Sequence, residues 1–131
     1  MVACDTNVLA RAILGDDPRQ SSLARRTLTD AASREGVFVP TVVLVELVWV
    51  LEGAGLDRAA LAAAVETLLA ARGVTVERAD VALDAVRAFK QGSAGYADYW
   101  IAGAARAESC RTLLTFDRKL ARDPRVTLLT R

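Results

Sequence analysis

The sequence predicts an α/β fold with a largely parallel sheet. Short apolar runs rich in β-branched residues alternate with longer segments of helical periodicity, the pattern of successive strand–helix units. Helix-starting and helix-stopping residues stand at the joints, as at Asp17-Pro18, Gly36, Asp57, Gly73 and Gly92. The chain has 131 residues, 53% of them hydrophobic. That is the size of one domain, and a single domain over 1–131 is expected.

Taken in order, the first strand is expected at residues 2–4, closed by Asp5, with a helix starting near Asn7. Asp17 as cap, Pro18 in the first turn and Gly36 at the end frame a helix over 19–34. A strand at Val37–Val39 follows. The segment 41–52 is apolar on all sides and reads as central core or as a partner surface, and Gly53 and Gly55 make a tight link beyond it. Asp57 caps the next helix, whose stripe Leu61, Val65, Leu68 and Leu69 has helical spacing and stops at Gly73. A strand at Val74–Val76 leads to a helix over 80–91 carrying Ala82, Val86 and Phe89 on one face. The last elements are a helix over 99–108, a strand at 112–114 and a strand at Val126–Leu128.

Composition narrows the chemistry. Seventeen Lys and Arg against sixteen Asp and Glu leave no overall basic field, so net charge neither supports nor excludes a nucleic-acid partner. There is no histidine, which removes the usual general base, the Ser-His and Cys-His nucleophile pairs and the commonest zinc ligand. Cys4 and Cys110 flank apolar segments rather than forming a CxxC pair, so buried, reduced thiols are expected. The longest apolar run, 42–51, falls short of the roughly 20 residues a membrane span needs. No secretory signal is visible at the start, and the cytoplasm is the expected location.

Four acids stand where a purely structural role explains them poorly. Asp5 follows a strand at its carboxyl end, where open α/β sheets place ligands. Glu46 interrupts the apolar run Thr41 to Leu51, where burying it unpaired would be costly, and its nearest basic residue in the chain after it is Arg58. Asp98 follows a glycine-containing stretch and opens a helix, and Asp117 follows a strand within Thr115-Phe116-Asp117-Arg118-Lys119, at the same expected sheet edge as Asp5. Helix caps for Asp5 and Asp98 and a salt bridge for Glu46 are the plain alternatives. Together the four make an oxygen-only ligand set that suits Mg²⁺ or Mn²⁺ better than zinc. Such a cluster repels itself without a cation.

At these residues the chain resembles a known family. Asp5-Thr6-Asn7-Val8-Leu9, Val45-Glu46, Asp98 and Thr115-Phe116-Asp117, in this order, resemble the PIN domain, and Gly15-Asp16-Asp17-Pro18 with Asp117-Arg118-Lys119-Leu120 resembles its VapC-type toxin branch. The resemblance implies a three-layer α/β/α sandwich with a parallel five-stranded sheet. It implies an endoribonuclease whose Asp5, Glu46, Asp98 and Asp117 bind Mg²⁺ or Mn²⁺, with Asp117 acting more through a water. Thr6, Asn7 and Thr115 would be supporting residues, the two threonines offering hydroxyls to the carboxylates or to a phosphate. RNA as substrate, a small antitoxin covering the pocket, and a homodimer are the implied partners.

Tyr96, Tyr99 and Trp100 crowd the third acid, where core packing and base stacking compete as readings. Arg11, Arg87, Lys90, Arg118 and Lys119 stand near the acids and could track a phosphate backbone. The rival readings are a metal-dependent phosphatase, disfavoured because no second aspartate follows two residues after Asp5, and a non-catalytic RNA- or protein-binding module, which would tolerate loss of an acid.

Overall fold

The computed structural model describes residues 1–130 and divides into two compact units, Met1–Ala79 and the residues from Asp80 onward. The first unit runs β1 (Val2–Ala3), α1 (Thr6–Leu14), α2 (Pro18–Arg34), β2 (Val37–Val39), α3 (Thr41–Gly53), α4 (Arg58–Ala70) and β3 (Val74–Val76). Its strands pair in parallel in the order β1-β2-β3, with Val2 opposite Val37 and Val37 opposite Val74. Helix α1 packs on α2 and α3, and α4 packs on α3 and β3. The buried side chains Val37, Val39, Leu44, Leu47, Leu51, Leu61 and Val65 form the core of this unit.

Local chemistry sets the boundaries much as the sequence suggests. Asp17 accepts from the Gln20 backbone N–H at 3.1 Å with Pro18 in the first turn of α2, and Asp57 accepts from Ala60 N–H at 2.9 Å at the start of α4. Gly73 turns the chain from α4 into β3 with φ +78°, and a Cβ there would run into the backbone carbonyl of Ala32. Its own carbonyl accepts from Val37 N–H at 2.8 Å, so the glycine both makes the turn and holds the start of β2.

The second unit comprises α5, which starts at the boundary (Ala79–Gln91), α6 (Tyr96–Ala107), β4 (Leu113–Thr115), a single 3-10 turn (Leu120–Arg122) and β5 (Val126–Leu128). Here β4 and β5 pair in parallel as a separate two-stranded sheet. Phe89 of α5 meets Tyr96 of α6 edge to face, ring centres 6.1 Å apart, and the Tyr96 hydroxyl donates to Ala82 O at 3.0 Å. Burial pushes the Tyr96 phenol far above its ordinary range, so it acts as a neutral donor.

The five-stranded sheet expected from the sequence is therefore corrected: the strands form ladders of three and two. All five strands exist close to their expected positions, and every pairing is parallel. Apolar runs reveal strands, but segments of two or three residues carry no information on which ladder each joins. Asp5 and Asp117 accordingly follow strands of different sheets.

A charged knot ties the end of the second unit together. Arg125 donates to Asp123 at 2.8 Å and to Asp84 at 2.5 Å, with the Asp123 side chain 9% exposed. The hydrogen bond from Arg125 outweighs burial and holds the Asp123 carboxyl below its usual range. Because the folded-state pKa lies below the unfolded one, near 3.9, the stabilisation is fully present above that value and is lost as pH falls through the folded pKa. Asp123→Asn is expected to cost on the order of 1–3 kcal/mol at pH 7. Urea unfolding at pH 7 and in acid checks this: the deficit should shrink in acid, and an equal deficit at both would contradict it.

Candidate functional site

Asp5 is the first residue past β1 and Cys4, extended at φ −86° and ψ 162°, and it caps α1. Its Oδ1 accepts from the Thr6 backbone N–H at 2.7 Å. Thr6, only 3% exposed, turns its hydroxyl the other way and donates to Glu46 Oε1 at 2.5 Å. One residue thus joins the first two acids, its N–H on Asp5 and its O–H on Glu46. The bond from the Thr6 hydroxyl to Glu46 spans 40 residues of sequence.

Glu46 is not buried. Helix α3 turns Leu44, Leu47, Val48 and Leu51 into the core and leaves Glu46 exposed on the opposite side, together with Val42 (76% exposed) and Trp49 (74%). No ion pair to Glu46 occurs among the described residues, so the arginine alternative lapses. The uniformly apolar sequence of α3 concealed which side faced water.

The other two acids lie in the second unit. Asp98 does not open its helix as a cap. Helix α6 begins at Tyr96 with Gly95 as N-cap, and Asp98, half-buried in the first turn, accepts from Gly95 N–H at 3.2 Å through Oδ2. Asp117 is exposed in the loop after β4, where its Oδ1 accepts from Lys119 N–H at 2.8 Å and Leu120 N–H at 3.1 Å. Thr115 Oγ1 accepts from Asp117 N–H at 3.0 Å, so this threonine fixes the backbone of Asp117 rather than its carboxylate. Asn7 is exposed and makes no side-chain hydrogen bond among the described residues.

A shared pattern emerges. Each of the four acids uses one carboxylate oxygen to fix its orientation and leaves the other without a hydrogen bond among the described residues. Charged, oriented oxygen donors of this kind suit a hard divalent cation. Among the described residues, no three or more His, Cys, Asp or Glu side chains stand together as a complete metal site would need.

The neighbouring groups sort by burial. Tyr96 and Tyr99 are core residues, and the Tyr99 hydroxyl accepts from Ala94 N–H at 3.2 Å, which decides against stacking for both. The freely exposed aromatics are instead Trp49, three residues past Glu46, and Phe116 (80% exposed), next to Asp117. Sequence reasoning placed Trp49 in an apolar run and gave Phe116 no role of its own. Burial, and then the charge of Asp5, push the Cys4 thiol above its ordinary range, consistent with an inert thiol. Cys110 is exposed, contrary to expectation.

The chain is thus an α/β protein whose candidate site offers oriented carboxylates near strand ends and helix starts. The chain matches the PIN domain family over residues 2–125, and it belongs to that family. PIN domains are generally metal-dependent nucleases, typically using divalent ions. No curated protein matches the chain. Among the described residues, no helix is long and apolar enough to cross a membrane.

Proposed function

We propose that this protein is a Mg²⁺- or Mn²⁺-dependent endoribonuclease of one catalytic domain, the cytoplasmic toxin of a VapC-type toxin–antitoxin pair. The observation that carries the reading is the join at Thr6, which orients Asp5 and Glu46 and leaves a free oxygen on each. Asp5, Glu46, Asp98 and Asp117 would hold the cation, all through oxygen. A cation so held would supply an activated water for attack on phosphorus and would offset charge on the leaving oxygen. With no histidine in the chain, the carboxylates are the groups of this site that would take up protons. Thr6 keeps Glu46 in a single orientation, and the helix-cap geometry does the same for Asp5.

Purified protein, freed of any bound partner, is expected to cleave single-stranded RNA in Mg²⁺ or Mn²⁺ and to stop in EDTA. Full activity in EDTA, from a preparation cleared of contaminating ribonuclease, would overturn the reading. The exposed Val42 and Trp49 on α3 add a partner surface to the proposal, for an antitoxin or a second copy. Light scattering on protein co-expressed with its neighbouring genes checks this, and a lone monomer would contradict it.

A further inference from the structure

The second unit contains a cavity of about 390 Å³, with a wall of mixed polar and apolar groups, that no step above uses. Its wall includes Gln91 at the end of α5, Ser93 in the loop beyond it, Tyr99 of α6, and Lys119, Arg122 and Asp123 around the 3-10 turn. Neither cation belongs to an ion pair among the described residues. The one acid in the wall, Asp123, is already held by Arg125 at 2.8 Å. The cavity therefore offers two uncommitted positive charges with an amide and a hydroxyl beside them, a combination that suits an oxyanion.

The cavity is also joined to the candidate acids of its own unit. Tyr99 directly follows Asp98 in α6. Lys119 is held by its backbone N–H on Asp117 Oδ1 at 2.8 Å, so the carboxylate that fixes the loop also fixes the base of the lysine. Its volume lies within the range of small-molecule sites, roughly 300–1,000 Å³.

We propose that this cavity is a subsite for a backbone phosphate of single-stranded RNA, with Lys119 and Arg122 as its cations and Gln91 and Ser93 as neutral donors. The assignment rests on the nuclease reading for the identity of the polyanion. It gives the enzyme a grip on the strand beside the candidate acids of the second unit. Phosphate contacts hold register without reading bases, so this subsite contributes affinity across sequences rather than choice of sequence.

Binding of a fluorescein-labelled 12-nucleotide single-stranded RNA, measured in EDTA across a KCl series, tests it without cleavage intervening. Each phosphate contact on a single strand contributes about 0.7 to the slope of log affinity against log salt. Lys119→Gln and Arg122→Gln should each lower the slope by about that amount, the double variant by about twice as much, with thermal melts unchanged. Lys119→Arg and Arg122→Lys should retain the wild-type slope. Unchanged slopes in the glutamine variants would overturn the proposal. So would displacement of the RNA by inorganic phosphate or a mononucleotide at comparable concentration, which would mark a site for a small free anion. A wild type that cleaves RNA in Mg²⁺ while the variants keep its slope removes the subsite and leaves the nuclease reading intact. A wild type that binds with the expected slopes but never cleaves does the reverse.

Discussion

Asp5→Asn and Glu46→Gln are each expected to reduce RNA hydrolysis by about 10²-fold or more, the scale seen when one oriented electrostatic group is removed from a reacting centre. Both changes remove a negative charge and little else. Asparagine serves nearly as well as aspartate at an N-cap, so the bond from Thr6 N–H and the start of α1 should survive. Glutamine keeps an oxygen that can accept from the Thr6 hydroxyl. Stability should therefore stay within about 0.5 kcal/mol of wild type, as for ordinary surface changes. Initial rates on a labelled RNA, alongside urea unfolding of the same preparations, measure both quantities. Activity within a few-fold of wild type would contradict the roles given to these acids. A loss of activity matched by loss of folding would reduce them to caps.

Thr6→Val is expected to lower the cleavage rate by about 10–100-fold, the range for removing a group that orients a metal-binding side chain. Valine matches threonine in shape, so no cavity opens at this nearly buried position. What disappears is the only hydrogen bond to Glu46 among the described residues, at a stability cost of about 0.5–1.5 kcal/mol. Glu46 then samples several rotamers on an exposed helix face. Thr6→Ser restores the hydroxyl and should recover most of the rate, which separates orientation from packing. Rate constants at saturating RNA for the three proteins decide this: a valine variant as fast as wild type would end the positioning role of Thr6.

Much of the fold was legible because its punctuation is chemical. Strands β2, β3 and β5 fall at their expected residues, since triplets rich in β-branched residues follow Gly36, Gly73 or Arg125 and have few alternatives. Helices α2 and α5 are each within a residue of expectation, framed by Asp17-Pro18 and by the Ala82, Val86, Phe89 stripe. The start of α6 was not legible. Its cap is Gly95, which has no side chain to announce it, while Asp98 resembles a cap and instead reaches back from the first turn. Sheet membership was hidden because strands of two or three residues have no pattern that chooses a neighbour. The orientation of Glu46 was hidden for a related reason: a helix apolar on every side has almost no amphipathic signal, and burial was decided by the packing of α1 and α4 on α3. The pairing of Thr6 with Glu46 spans 40 residues. The resemblance implied a Thr6 hydroxyl for the carboxylates or a phosphate and did not single out Glu46.

The claim that these acids hold a divalent cation is tested most directly by calorimetric titration of Mn²⁺ into wild type and into the four single variants Asp5→Asn, Glu46→Gln, Asp98→Asn and Asp117→Asn. Wild type should bind Mn²⁺ with measurable heat. It should also gain stability on the order of 1.4 kcal/mol at about ten times its dissociation constant. Each variant should bind more weakly, least affected being Asp117→Asn if that residue acts through a water. Wild type that binds no Mn²⁺, or four variants that bind it as tightly as wild type, would contradict the account.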